Sequence, residues 1–134
     1  MVYLESPENI SAEQLTGFFV GWPEPPSEEA LLELLHKGDF IVLAFDEEVN
    51  RVVGLVTAIS DGVLCAYIPL LEVLPEYQKR GIATNLMRQM LDKLNHLYII
   101  DPLCNEDLQP FYARLEMRSS RGMMVRNYAR QSGK

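Results

Sequence analysis

The stretch Leu71–Leu86, reading LEVLPEYQKRGIATNL, constrains this chain more than any other. An apolar run is stopped by Pro75, a polar turn ends in Gly81, and helical periodicity follows. From there Ile82, Leu86 and Met90 fall on one helical row and Ala83, Met87, Leu91 and Leu94 beside it. Asn85, Arg88, Gln89, Asp92 and Lys93 lie opposite. A buried strand that turns tightly into an amphipathic helix belongs to a layered sheet-and-helix fold. Unpaired N–H groups and the positive end of the helix dipole converge at such a junction. A small residue there lets an anion approach, so the turn is suited to phosphate.

The rest of the chain supplies the other layers. Val2–Leu4 reads as a short strand, and the Ser11/Gln14 capping-box pattern predicts a helix over Ala12–Phe19. Three prolines in VGWPEPPS (Val20–Ser27) enforce a stiff loop, and Ser27 with Glu28 and Glu29 opens a helix that Gly38 closes. Phe40–Phe45 and Arg51–Ile59 flank the turn DEEVN as a hairpin. Val63–Leu74 predicts a long third strand. It contains Pro69, which cannot donate to a ladder, so the strand should bulge or part from a neighbour there. Leu97–Ile100 reads as a strand, Leu108–Leu115 as a helix and Met123–Tyr128 as a last strand. Residues 129–134 should fray. The predicted class is α/β: a mixed, mostly antiparallel central sheet with helices on both faces, in one domain over residues 1–134.

Composition excludes several functions. No apolar run approaches the roughly 20 residues that span a bilayer, and MVYLESPENIS lacks a basic start and a long apolar region, so no membrane role and a cytoplasmic location are expected. Cys65 and Cys104 sit in or beside apolar runs and read as buried, reduced thiols. His36 and His96 have no ligand spacing, so no metal is expected. Through Gln78 there are two basic and fourteen acidic residues, and from Lys79 onward ten basic and five acidic. The carboxyl-terminal part thus suits a polyanion and the amino-terminal part a cation. A sequence pI near 4.8 with no basic stripe excludes nucleic acid as an expected partner.

Gln78-Lys79-Arg80-Gly81-Ile82-Ala83 resembles the Q/R-x-x-G-x-G/A signature of the GNAT superfamily of N-acetyltransferases. Val73-Leu74-Pro75-Glu76-Tyr77 resembles the family's V-x-P-x-Y lead-in, and NEDLQPFYARLEM (Asn105–Met117) its later segment with Asn and Tyr seven apart. The resemblance covers nearly the whole chain and is strongest from Val53 to Asn127. Ala83 stands for the commoner second glycine. Glu116-Met117 stands where many members have Gly-Phe, which puts the local turn in question.

The resemblance implies acetyl-CoA as co-substrate, a splayed pair of central strands, a small amine or peptide acceptor, and a homodimer. Backbone N–H groups of Gln78 through Thr84 would cradle the pyrophosphate, with charge from Lys79 and Arg80. The strand end Leu71–Leu74 would hold the thioester arm, with the oxyanion donor at the Val73 or Leu74 N–H. Tyr112 would be the general acid, since a phenol with a pKa of about 10 keeps its proton at neutral pH. Asn105 would bond the cofactor or cap the helix bearing Tyr112. An amine near pKa 10.4 must lose a proton, and Glu72 or Asp101 would take it. Phe18, Trp22 and Tyr67 are the candidate acceptor walls, although Trp22 equally suits a core plug. No histidine is placed to activate Cys104 as a nucleophile. A CoA-binding module without catalysis is the alternative on the same fold.

Overall fold

The computed structural model describes residues 1–134. Strands β1 (Val2–Leu4), β2 (Phe40–Asp46), β3 (Arg51–Ser60), β4 (Cys65–Val73) and β5 (Ile99–Pro102) form one sheet in sequence order. The first three pairings are antiparallel and β4–β5 is parallel. Helix α1 (Glu28–Lys37) precedes β2, α2 (Ile82–Lys93) links β4 to β5, and α3 (Gln109–Ala113) follows β5. The antiparallel run comes from short turns, whereas β4 and β5 need a crossover and α2 provides it.

Gly54 in β3 lets α2 approach the sheet closely. A Cβ there would lie 3.1 Å from Leu86 and 3.3 Å from both Ile82 and Val73. Leu86, Met87, Met90 and Leu94 are fully buried in a core cluster of 26 residues, so the predicted apolar rows of α2 are the rows that pack. Ser27 caps α1 by accepting the Ala30 N–H at 3.1 Å, and Leu31 and Leu35 bury its inner face.

Proline 69 acts as expected. Thr57 pairs with Leu70 and Ile59 with Tyr67, so two β4 residues oppose the single residue Ala58. Pairing with β5 runs only from Cys65 to Ile68. Beyond Pro69 the two parallel strands separate, and this is the splayed pair.

Several expectations need correction. The helix over Ala12–Phe19 is only a 3-10 turn over Ala12–Leu15, because Gly17 (φ 93°) and Phe19 (φ 62°) are left-handed. The capping box itself forms. Val63 and Leu64 precede β4 instead of joining it: the Asp61 carboxylate accepts the N–H groups of Val63, Leu64 and Cys65 at 2.8–3.1 Å. The strand expected over Leu97–Ile100 is displaced to Ile99–Pro102, since Leu97 N–H closes a turn onto Leu94. Met123–Tyr128 is not a strand. From Arg118 through Arg126 no backbone group finds a backbone partner, and an apolar strand pattern without a neighbour has no ladder to join. At the carboxyl end Tyr128–Arg130 is a 3-10 turn, and Gln131 Oε1 accepts the Glu24 N–H at 2.9 Å. Cys65 is half-buried and Cys104 exposed, both free thiols, so burial of both does not hold.

Candidate active site

The turn between β4 and α2 is held from outside. Tyr77 donates its hydroxyl to Asp46 Oδ2 at 2.7 Å, and Arg80 lies over the Tyr77 ring at 5.0 Å while bonding the Glu76 carbonyl at 2.9 Å. The Asp46 bond raises the Tyr77 phenol above its ordinary value, and the Tyr77 bond lowers Asp46 below the ordinary carboxylate range. Gly81 takes φ 80° at the start of α2, and a Cβ there would meet nothing within 4 Å. The backbone N–H groups of Lys79 through Thr84 have no protein acceptor. A row of unpaired donors, ending at the N-terminus of a helix, fits the diphosphate of coenzyme A. Gln78 leaves this row, because its N–H bonds the Pro75 carbonyl at 3.2 Å. Its side-chain amide instead donates to the Val73 carbonyl at 3.1 Å.

The free edge of β4 continues from this turn. Leu74 N–H bonds Val53 O at 2.9 Å, and is therefore committed to β3 and unavailable as an oxyanion donor. Donors alternate along an antiparallel strand, so the N–H groups of Leu71 and Val73 face the opposite edge, from which β5 has departed. Pro69 contributes no donor there. Leu71 and Val73 thus offer polar backbone to a cleft of about 780 Å³.

One wall of the cleft is the loop after the first 3-10 turn, with Phe18, Phe19 and Trp22. The Glu72 carboxylate accepts the Phe19 N–H at 2.9 Å and the Val20 N–H at 3.3 Å. A phenylalanine at positive φ is strained, and these bonds hold it there. Trp22 is 40% exposed and packs on Phe19 with ring centroids 4.8 Å apart, so it is a wall of the cleft and not a core plug. Tyr112 and Asn105 also line the cleft. Burial pushes the Tyr112 phenol above its ordinary value, with the Cys104 thiol adding to the effect. Asn105 precedes a 3-10 turn but its side chain makes no cap bond. Glu116, at φ 65°, closes the turn after α3 in the left-handed conformation that glycine adopts most easily.

Of the residues singled out in the sequence, Leu71, Glu72, Val73, Gln78, Asn105 and Tyr112 come together in the cleft, as do Phe18 and Trp22. Lys79, Arg80, Gly81, Ile82, Ala83 and Thr84 form the adjoining turn and first helical residues. Tyr67 and Asp101 do not line the cleft: they are partners across β4–β5, on the far side of the Pro69 bulge. Phe19, Leu103, Leu108 and Arg126 line it without having been singled out. Only Phe19 had a local signal, its place between Phe18 and Trp22, both named as candidate acceptor walls. No cluster of three or more His, Cys, Asp or Glu side chains could hold a metal, and no helix is long and apolar enough to cross a membrane.

Comparison with known proteins agrees with this geometry. Residues 8–117 match the model of the Acetyltransferase (GNAT) family. A crystal structure of a candidate acetyltransferase from Deinococcus radiodurans superposes with a TM-score of 0.95 at 40% identity, covering 98% of this chain and 91% of that one. A GNAT-family acetyltransferase from Streptococcus pneumoniae superposes with a TM-score of 0.74 at 27% identity, over 94% and 97% of the two chains. A curated relative, an uncharacterized N-acetyltransferase of Porphyra purpurea, is 28% identical over 119 residues, which is 85% of this chain and 68% of its own. The unpaired donors of the turn and the splayed strands thus occur in a chain that belongs to the GNAT family of acetyltransferases.

Proposed function

We propose that this chain transfers the acetyl group of acetyl-CoA to the primary amine of a small molecule or peptide by direct attack. The observation that carries the reading is the continuity of two features. The donor row at Lys79–Thr84 runs into the free β4 edge, and that edge lines the same cleft as Tyr112. A diphosphate on the row directs the rest of the cofactor along Val73 and Leu71.

The residues then divide the chemistry. The Val73 N–H stabilises charge developing on the thioester oxygen. Glu72 takes the ammonium proton, directly or through water; a carboxylate that already accepts two N–H bonds still has acceptor capacity. The amine nitrogen forms a bond to the acetyl carbon as the carbon–sulfur bond breaks, Tyr112 gives its proton to the leaving thiolate, and the second proton of the attacking nitrogen returns to the Tyr112 oxygen, directly or through water, as the amide forms. Its raised pKa keeps that proton in place at neutral pH. Asn105 hydrogen-bonds the cofactor, and the exposed Lys79 adds charge beside the phosphates.

Acetyl-CoA at 100 times its Kd is expected to stabilise the folded chain by about 2.7 kcal/mol, read as a rise in Tm. No rise at millimolar acetyl-CoA would end the proposal. Tyr112→Phe is expected to lower kcat by about 10²-fold or more while leaving that rise nearly intact. Equal turnover would remove Tyr112 from the mechanism. A rise in Tm without acetylation of any amine would leave a CoA-binding module.

A further inference from the structure

The interior of the cleft is charged quite differently from the half of the chain that forms most of it. The amino-terminal part is rich in carboxylates, yet Glu72 is the only acidic side chain lining the cleft and Arg126 the only basic one. Fifteen of the 22 lining residues are hydrophobic, which leaves few groups able to compensate a buried charge. Glu72 also has work within the protein, since it accepts the Phe19 and Val20 N–H groups. It can receive one ammonium. A second ammonium held against the apolar walls would have no counter-ion among the lining side chains, and burying an unpaired ammonium is strongly unfavourable.

What remains of the wall favours an apolar body. Phe18 and Phe19 are buried to 9% and 6% exposure, and Trp22 stands half-exposed at the rim with its ring tilted 51° to that of Phe19. The left-handed Phe19 gives this pair its orientation, and the Glu72 bonds hold it. The same carboxylate therefore holds the aromatic wall and marks where an ammonium docks.

We propose that the acceptor is a primary monoamine on an aromatic or alkyl body. Its ammonium docks at Glu72 and its body packs on Phe18 and Trp22. Polyamines, aminoglycosides and lysine-rich peptides are disfavoured. The inference rests on the acetyl-transfer reading above for its chemistry, but its recognition can be measured without turnover.

Trp22 is the chain's single tryptophan, so its emission reports on the cleft directly. The intact protein, saturated with coenzyme A, is titrated with 2-phenylethylamine, spermidine or kanamycin while Trp22 emission is followed. In parallel, acetyl-CoA-dependent thiol release is measured with each amine. The expected result is a saturable emission change with 2-phenylethylamine at concentrations about tenfold or more below those needed for either polycation, with kcat/KM ranked the same way. A polycation that matches 2-phenylethylamine in either readout overturns the proposal, as does an unchanged emission with 2-phenylethylamine. Saturable binding without thiol release would leave the ligand class standing and remove acetyl transfer. In Glu72→Gln, binding of 2-phenylethylamine is expected to weaken about tenfold while that of 2-phenylethanol, which lacks the ammonium, holds. Equal weakening of both would overturn docking at Glu72.

Discussion

Glutamate 116 shows how one residue can be strained and still serve the fold. It adopts φ 65° to close α3, and Met117 N–H returns to the Tyr112 carbonyl at 3.2 Å. The left-handed conformation costs a non-glycine residue about 1–2 kcal/mol, whereas glycine gives up roughly 0.5–1 kcal/mol of chain entropy. Relief of strain is the larger effect, so Glu116→Gly is expected to gain about 0.5 kcal/mol, read as a higher Tm or denaturation midpoint. Tyr112 supplies a pH prediction at the same scale. Its pKa is raised by burial, so its contribution to stability is full below a phenol's ordinary value of about 10 and is lost as pH rises through the higher folded value. Acetyl transfer should therefore show no loss attributable to this phenol up to pH of about 9. A rate profile with an alkaline fall centred near neutrality would assign the proton to another group.

At the scale of elements, two contacts place the turn between β4 and α2. The first is α2 on β3 at Gly54, where a methyl group would press on Leu86, Ile82 and Val73. Gly54→Ala is expected to lower stability by about 1–3 kcal/mol through overpacking, measured by denaturant titration. The second is the Tyr77–Asp46 bond, which ties the turn to the end of β2. Tyr77→Phe should reduce the Tm rise given by acetyl-CoA more than it reduces the Tm of the free protein. The converse would make the bond a general support. The turn between β4 and α2, and α2 itself, were readable in advance because both are local: an apolar run, Pro75, Gly81 and 3.6-residue periodicity are contained in one stretch. The helix expected over Ala12–Phe19 was not, because a carboxylate 53 residues away holds Phe19 in the left-handed region.

The whole molecule has an acid-sensitive part and an open one. Backbone bonds from Leu64, Val63 and Cys65 hold Asp61 far below the ordinary carboxylate range, and its contribution to stability is complete above that range. It is lost as pH falls from about 4 through the lowered value, as is that of Asp46. Asp61→Asn keeps the acceptor oxygen and removes the titration, so its Tm should fall less between pH 5 and 3 than that of the parent chain, by about what one carboxylate contributes. Residues 118–130 are all exposed, and limited trypsin treatment should cut first at Arg118, Arg121 or Arg126, with fragment masses identifying the site. By itself the sequence determined the strand–turn–helix cradle, the bulge at Pro69, the helix carrying Tyr112 and the family, since each depends on residue types at short spacing. Only the tertiary structure decided that Leu74 N–H is spent on Val53, that Glu72 reaches the Phe19 turn, that Tyr67 and Asp101 lie outside the cleft, and that Met123–Tyr128 finds no ladder. Hydrogen-bond partners and strand register join residues distant in the chain, and local pattern carries no record of which distant group satisfies a given N–H.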